Sequence, residues 1–401
     1  MPMRPRQVFS LFCCMENFEE KACLCALNRI FGFEPRIGLT LISHFGSAKD
    51  VFCLDVKELD EIIGPYSKFK GRITTKARDI AAEELQSLSD KGISFIGISE
   101  ASYPKLLREC EDSPIGLYIK SRTPASELWV DPAISIVGTR DISPYGKEWC
   151  RKIVNGLSST VTRPAIVSGL ALGVDIEAHK AAVDAGLPTI AVMATGPDSI
   201  YPARHRYFAE AIASTPGCAL ITDYPPGTAP RAIHFLRRNR IIAGLSKSTI
   251  LIESKARGGG LMTCRLAFSY NRDIYALPGR IDDIRSQGCN HLIRSKMAEP
   301  IISVSSLIES MGMKASASEV CTDSRTVLDK KYSGYISSQD IETMSELINT
   351  IRKERCLTAE DLSDILKISY LKASELIGIL EIDGFITRDL LQRCSINPKN
   401  L

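Results

Sequence analysis

At 401 residues the chain is longer than one ordinary hydrophobic core organises, so two or three domains are expected. A formal net charge of +3 with 24% charged residues excludes a diffusely polycationic binder, so any polyanion site must be a local concentration of charge. Thirteen cysteines, an odd number with no C-x-x-C pair, argue against a disulfide framework or zinc knuckle and for reduced thiols in a cytoplasmic protein, and no apolar stretch reaches the ~18 residues of a membrane span.

Residues 1–20 read as irregular. Arg4 and Arg6 precede a short apolar run, acidic residues follow at 16, 19 and 20, and no small-residue cleavage site appears, so no signal peptide is expected. From 21 to 90 apolar residues recur at three-to-four spacing with breaks at Gly32, Gly46 and Gly64-Pro65. That pattern suits a small helical module of the SAM or helix-hairpin type, which touches either DNA backbone or another protein. Short strands are expected near ISFIGI and IGLYIK, and 121–131 is a polar lead-in to the main domain.

Between 133 and about 304, short apolar strands alternate with amphipathic helices, the mark of a parallel α/β sheet covered on both faces. The strands are drawn at 133–138, 165–169, 189–194, 218–224, 248–254 and 273–279. Ser143-Pro144 suits a helix N-cap followed by proline at the first helical position, and Gly186 a helix end.

Ligands of such sheets sit outside the carboxyl ends of the strands, where backbone N–H groups and helix N-termini face outward. Distinctive turns collect there: Gly138-Thr139-Arg140, then 168–173 beginning Ser168-Gly169, then Arg257-Gly258-Gly259-Gly260. The stretch 224–252 holds Arg231, His234, Arg237, Arg238, Arg240 and Lys247 without one Asp or Glu, with Phe235 beside the arginines. A cationic cluster held next to a ring suits a ligand of several phosphates; the alternative is a solvated helix face. Neither G-x-G-x-x-G after the first of these strands nor G-x-x-x-x-G-K-[ST] is present, which removes the support for dinucleotide binding and for an ATPase. No cofactor and no metal set are expected. Trp129 and Trp149 are read as packing residues.

After Met311 a polar stretch to about 340 reads as a linker. The remaining residues, 341–401, suggest helices at 341–354, 358–367 and 369–382 followed by a hairpin, which together describe a winged helix. Thr358 to Asp361 is a capping-box-like start. The third helix has few basic residues, so DNA-groove and protein-contact roles both stay open.

The segments IVGTR, VSGLALGVDIEAH, TIAVMATGPDSIYP, DYPPGTAPRAIHFLRRNRIIAGLS, ALPGRIDD and SQGCNHLIR, in this order, closely resemble the DprA/Smf family (DNA-processing protein A), strongly over 110–300. The resemblance implies an extended Rossmann-like domain over 91–310 that binds single-stranded DNA, forms a homodimer, and helps load the RecA recombinase in natural transformation, without enzymatic activity. By motif match, phosphate contacts fall to Gly138, Thr139, Arg140, Ser168, Gly169, Arg237, Arg238, Asn239 and Arg240, with Phe235 near a base or sugar. The family often has serine or alanine where this chain has Gly258 and Gly260. Hydroxyl contacts are lost there, while Gly258, Gly259 and Gly260 keep their backbone donors.

Two other readings compete. The sheet type is similar to that of nucleoside-monophosphate phosphoribohydrolases, whose signature is P-G-G-x-G-T-x-x-E, and a nucleotide-hydrolysing enzyme is the alternative function. The comparable turn, 257–265, lacks the proline and the terminal glutamate, although Glu253 is nearby and Asp175 and His179 share a helix face as a conceivable acid/base pair. The third reading is an assembly platform whose crevice holds a structural anion.

Overall fold

The computed structural model describes residues 5–64, 66–69, 71–314, 316, 324–354, 357–389 and 391–396. No Gly or Pro lies between Pro5 and Gly32, and Pro5 stands at the first helical position, so one helix, α1 (Pro5–Phe31), replaces the irregular N-terminus expected for residues 1–20. Residues 1–4 lie outside the described residues. Four helices follow: α2 (Pro35–Phe45), α3 (Ala48–Cys53), α4 (Val56–Ile63) and α5 (Thr75–Ser89). Gly46 ends α2 in the left-handed region at φ 88°, its N–H bonding the Ile42 carbonyl. Ser47 and Thr74 accept N-cap bonds from Asp50 and Ala77.

These helices bury Leu24, Leu27, Phe31 and Leu85 against Phe95 and Tyr118 of an antiparallel strand pair, β1 (Ile93–Gly97) and β2 (Gly116–Lys120), which flank the short helix α6 (Lys105–Arg108). A one-turn helix, α7 (Ala125–Leu128), leads into the alternating region. There β3 (Ala133–Val137), α8 (Pro144–Ser158), β4 (Ala165–Ser168), α9 (Val174–Asp184), β5 (Thr189–Val192), α10 (Arg206–Ser214) and β6 (Ala219–Thr222) follow in turn. Then come α11 (Ala232–Leu245), β7 (Ser248–Leu251), α12 (Gly259–Ser269), β8 (Asp273–Ala276), α13 (Gln287–Arg294), β9 (Glu299–Pro300) and α14 (Val304–Ser310). Each strand anticipated from sequence between 133 and 279 is present and stops one to three residues before its expected end. Those last residues peel off the sheet to build the loops described below.

The nine strands form one sheet in the order β1-β2-β6-β5-β4-β3-β7-β8-β9. The pairs from β6 through β9 are parallel, while β2 joins β6 antiparallel. Strand β3 shows why both faces are covered: Ile134 and Ile136 enter the core under α8 and α9, whereas Ala133 and Val137 enter the core under α11 and α12. From β3 the chain steps outward through β4, β5 and β6, then crosses back by α11 to set β7 on the other side of β3. Strand order reverses between β3 and β7, and a crevice opens where neighbouring loops diverge.

The chain divides into two compact units, Met1–Lys314 and Ala315–Leu401. In the second, α15 (Ser324–Tyr332) occupies part of the stretch expected to be a linker, because Leu328 and Tyr332 join the core of that unit. Residues 315 and 317–323 of that stretch lie outside the described residues. The unit continues with α16 (Ser338–Lys353), α17 (Ala359–Leu366), α18 (Tyr370–Ile382) and an antiparallel pair, β10 (Ile386–Arg388) and β11 (Cys394–Ile396). Thr358 and Asp361 form the reciprocal capping box read from their spacing. No helix of the described residues is long and apolar enough to cross a membrane.

Candidate functional site

A crevice of about 720 Å³ lies outside the carboxyl ends of β3 and β7. Its base is the Gly138-Thr139-Arg140 loop and the start of α12. These two segments pass so closely that a Cβ at Gly260 would sit 3.1 Å from the Gly138 Cα, and one at Gly138 would sit 2.8 Å from the Glu253 carbonyl oxygen. Thr139 N–H donates to that same carbonyl at 2.7 Å, which ties the loop after β3 to the segment after β7. Gly258, at the N-cap of α12, supplies no side-chain cap, so the first backbone N–H groups of that helix keep their capacity for a ligand.

Helix α11 forms one wall, and its phase sorts the arginines. At about 100° per residue, positions i, i+3, i+4 and i+7 share a face. Phe235, Arg238, Asn239 and Ile242 accordingly line the crevice, while Leu236, Arg237 and Arg240 line a second depression on the far side of the helix. The Phe235 ring has the Arg140 guanidinium 5.3 Å from its centroid and the Tyr201 ring edge-on at 5.3 Å.

Arg238 is fully buried beneath the crevice. Its Nη1 donates to the Val192 carbonyl at 2.9 Å, its Nε has no partner among the described residues, and a Cβ at Gly169 would lie 1.6 Å from Nη1. Asp175 balances this charge while accepting the Gly169 and Ala171 N–H groups at 3.2 and 3.4 Å. Burial pulls the Arg238 guanidinium below its ordinary range and raises the Asp175 carboxyl, and the opposite charge of each counters the other's shift.

The turn after β4 therefore has a different role from the one expected. The Ser168 hydroxyl is buried and donates to the Ile136 carbonyl at 2.6 Å, and Gly169 spends its N–H on Asp175, so both residues seat Arg238 and line no part of the crevice. Arg240 also departs from expectation: it points away from the crevice and is plugged into Asp223 at 2.6 Å, with a second bond to the Asp112 carbonyl. Burial alone would lower its pKa, but Asp223 and Asp112 outweigh burial and raise it. Arg237 donates to the Gly32 and Phe33 carbonyls outside the crevice. One helical turn cannot aim residues 237, 238 and 240 at a single ligand.

Charge in the crevice comes instead from Arg140, Arg231, Lys255 and Arg257 at its rim and Arg238 beneath, against the carboxylates of Asp141 and Asp175. Among the described residues none of the four rim cations has a carboxylate within 4 Å. Lys255 was not singled out from sequence; its place two residues before Arg257 and the glycine turn was the available signal. The candidate acid/base groups are committed elsewhere. Glu253 accepts from the Ser143 N–H at 2.9 Å and from its hydroxyl, fixing the start of α8, and buried His179 bonds Thr189 at 2.7 Å. Burial lowers the pKa of His179 to about 3.

Comparison with known proteins extends the geometry. The family model for DNA recombination-mediator protein A matches residues 94–312. Protein Smf of Synechocystis sp. is 33% identical over 295 residues, 73% of this chain and 73% of that protein. The DNA processing protein DprA of Streptococcus pneumoniae is 40% identical over 197 residues, 49% of this chain and 67% of that protein. The X-ray structure of DprA from S. pneumoniae superposes with a TM-score of 0.53 at 32% identity, covering 64% of this chain and 92% of that one. On the extent of these matches, and on the strand-end loops they include, the chain belongs to the DNA recombination-mediator protein A (DprA/Smf) family.

Proposed function

We propose that the chain binds single-stranded DNA in the crevice at the β3/β7 switch point and acts there as a DNA-processing mediator. The observation that carries this reading is a set of four rim cations without carboxylate partners among the described residues, arranged around the half-buried Phe235 ring and the uncapped start of α12. Arg140, Arg231, Lys255 and Arg257 pair with phosphates, the N–H groups around Gly258, Gly259 and Gly260 accept a close backbone approach, and Phe235 with Tyr201 offers a stacking surface. Contacts of this kind hold phosphate and base faces without reading base edges, so binding is tolerant of sequence and weakens with salt. Gly138 and Thr139 shape the base of the cradle, and Asn239 faces it from α11.

Under this reading the chain is a cytoplasmic, non-enzymatic binder that works as a homodimer and delivers DNA to the RecA recombinase. The engagement of Glu253, Asp175 and His179 in fixed structural contacts supports binding over hydrolysis. Residues 21–90 serve as a helical module, 91–310 as the extended Rossmann-like DNA-binding domain, and 341–401 as a winged helix. Exposed Tyr370 and Leu371 on α18, with Lys372 paired to Asp340 at 3.0 Å, favour a protein partner over a DNA groove for that unit.

The test is a titration of the full chain with single- and double-stranded oligonucleotides at two salt concentrations. Arg140→Ala is expected to weaken single-strand binding about 10-fold for every sequence and to flatten the log–log salt slope by about 0.7. Unchanged affinity and slope would reject the crevice as the binding groove. Release of free base from nucleoside monophosphates would favour the hydrolase alternative.

A further inference from the structure

On the far side of α11 from the crevice lies the second depression, about 520 Å³, between that helix, α12 and the start of α2. Three large apolar side chains from separate segments are exposed in it: Phe33 at 47%, Leu236 at 46% and Met262 at 40%. The Arg237 guanidinium lies 4.5 Å from the Phe33 ring centroid and also holds the backbone carbonyls of residues 32 and 33, so the ring is fixed in place with a cation backing one face. This repeats the chemistry of Phe235 with Arg140 in the crevice. Leu236, between Phe235 and Arg237 in sequence, lines both hollows, so only the ridge of α11 separates them. Beyond Phe33 the depression adjoins a third hollow through Arg36, which lines both and leads to Thr40, Ser43 and His44 on α2.

The charge along this path suits a polyanion. Glu34 is paired with Lys68, Asp112 accepts the Tyr270 hydroxyl at 2.6 Å and lies beside Arg240, and Glu111 is held by Arg36 at 2.6 Å in a pair so exposed that a phosphate can compete for the arginine at small cost. A purely apolar partner would leave the exposed Arg36 facing it, whereas a nucleic-acid strand uses both the Phe33 ring, which Arg237 holds and backs, and the Arg36 cation.

We infer that the Phe33–Arg237 depression is a second nucleotide subsite, in which the strand leaving the crevice crosses α11 over Leu236 and stacks a base on Phe33 of the N-terminal helical module. The inference rests on the crevice binding single-stranded DNA and adds to it an exit direction and a stacking residue outside the β3/β7 loops.

Fluorescence titration of the full-length chain with two labelled oligothymidylates, of about 4 and about 16 nucleotides to bracket known site sizes, separates the two sites. Phe33→Ala is expected to weaken the longer oligonucleotide about 10-fold and to leave the shorter unchanged. Phe33→Trp keeps the longer oligonucleotide's affinity, and its indole emission is quenched by that oligonucleotide alone. Arg140→Ala weakens both. If Phe33→Ala binds both lengths like the parent while Arg140→Ala weakens both, the crevice stands and the subsite is lost; equal weakening of both lengths by Phe33→Ala also overturns it. Loss of self-association by Phe33→Ala without DNA, with long-strand binding unchanged, assigns the depression to a second copy of the chain. Parental binding by Arg140→Ala defeats the crevice itself, and the subsite with it.

Discussion

Replacing Arg240 by methionine separates the arginines that hold the fold together from those that face a ligand. Arg240 and Asp223 are 5% and 4% exposed, and Nη2 donates to Oδ2 at 2.6 Å. The other carboxylate oxygen, Oδ1, has no partner among the described residues, so Arg240→Met leaves a buried carboxylate without its counter-ion. Breaking a buried pair from one side costs about 3–5 kcal/mol, whereas removing both charges in favour of apolar side chains is often neutral. Urea unfolding followed by emission of Trp129 and Trp149, both in the first unit, is expected to report that loss for Arg240→Met and recovery of most of it in Arg240→Met with Asp223→Leu. Both proteins are expected to bind oligonucleotides like the parent under conditions where they are folded, because Arg240 lines no part of the crevice and, where it borders the second depression, its guanidinium is buried against Asp223 and offers nothing to a strand. The reasoning fails if Arg240→Met keeps parental stability but loses DNA affinity, or if the double variant is no more stable than the single one.

Gly169→Ala tests the seat of Arg238: its Cβ cannot coexist with Nη1 at 1.6 Å, so stability is expected to fall by about 2–4 kcal/mol and oligonucleotide affinity with it. At Gly259 a Cβ meets nothing within 4 Å, and Gly259→Ala should stay within about 0.5 kcal/mol of the parent in the same urea titration; equal behaviour of the two variants would refute the assignment. His179 predicts an acid-side loss of stability. Burial depresses its folded pKa to about 3, so as pH falls below the ordinary histidine value the unfolded chain gains a proton that the folded chain refuses. The stability contributed is complete above about pH 6.5 and is reduced by about 2 kcal/mol at pH 5. Urea midpoints at pH 7 and pH 5 should differ less in His179→Gln than in the parent, and equal differences would show that His179 is protonated when folded.

The local start signals of helices were legible in the amino-acid order. Ser143-Pro144 starts α8 with the Ser143 hydroxyl capping Gly146, and Thr358 with Asp361 makes the capping box its spacing implied, because such contacts close within a few residues. At the N-terminus composition is ambiguous: an apolar, cysteine-rich run without Gly or Pro is compatible with a helix, and α1 forms there instead of the irregular segment expected. Arg237, Arg238 and Arg240 are one cluster in sequence but not on a helix. Counting 3.6 residues per turn from Phe235 assigns Arg238 and Asn239 to its face and Arg237 and Arg240 to the other.

Order along the chain determined what is local: the alternation of strand and helix, the caps, and the glycine turns at the ends of β3 and β7. It could not determine which arginines remain free for a ligand, because that depends on partners brought near by tertiary packing. Asp223, Asp175 and the carbonyls of residues 32 and 33 claim Arg240, Arg238 and Arg237, while Arg140, Arg231, Lys255 and Arg257 meet no carboxylate among the described residues. A guanidinium carries the same charge at every position in a sequence; whether that charge is spent inside the protein or offered outward is settled only when the sheet closes and its counter-charges fall into place.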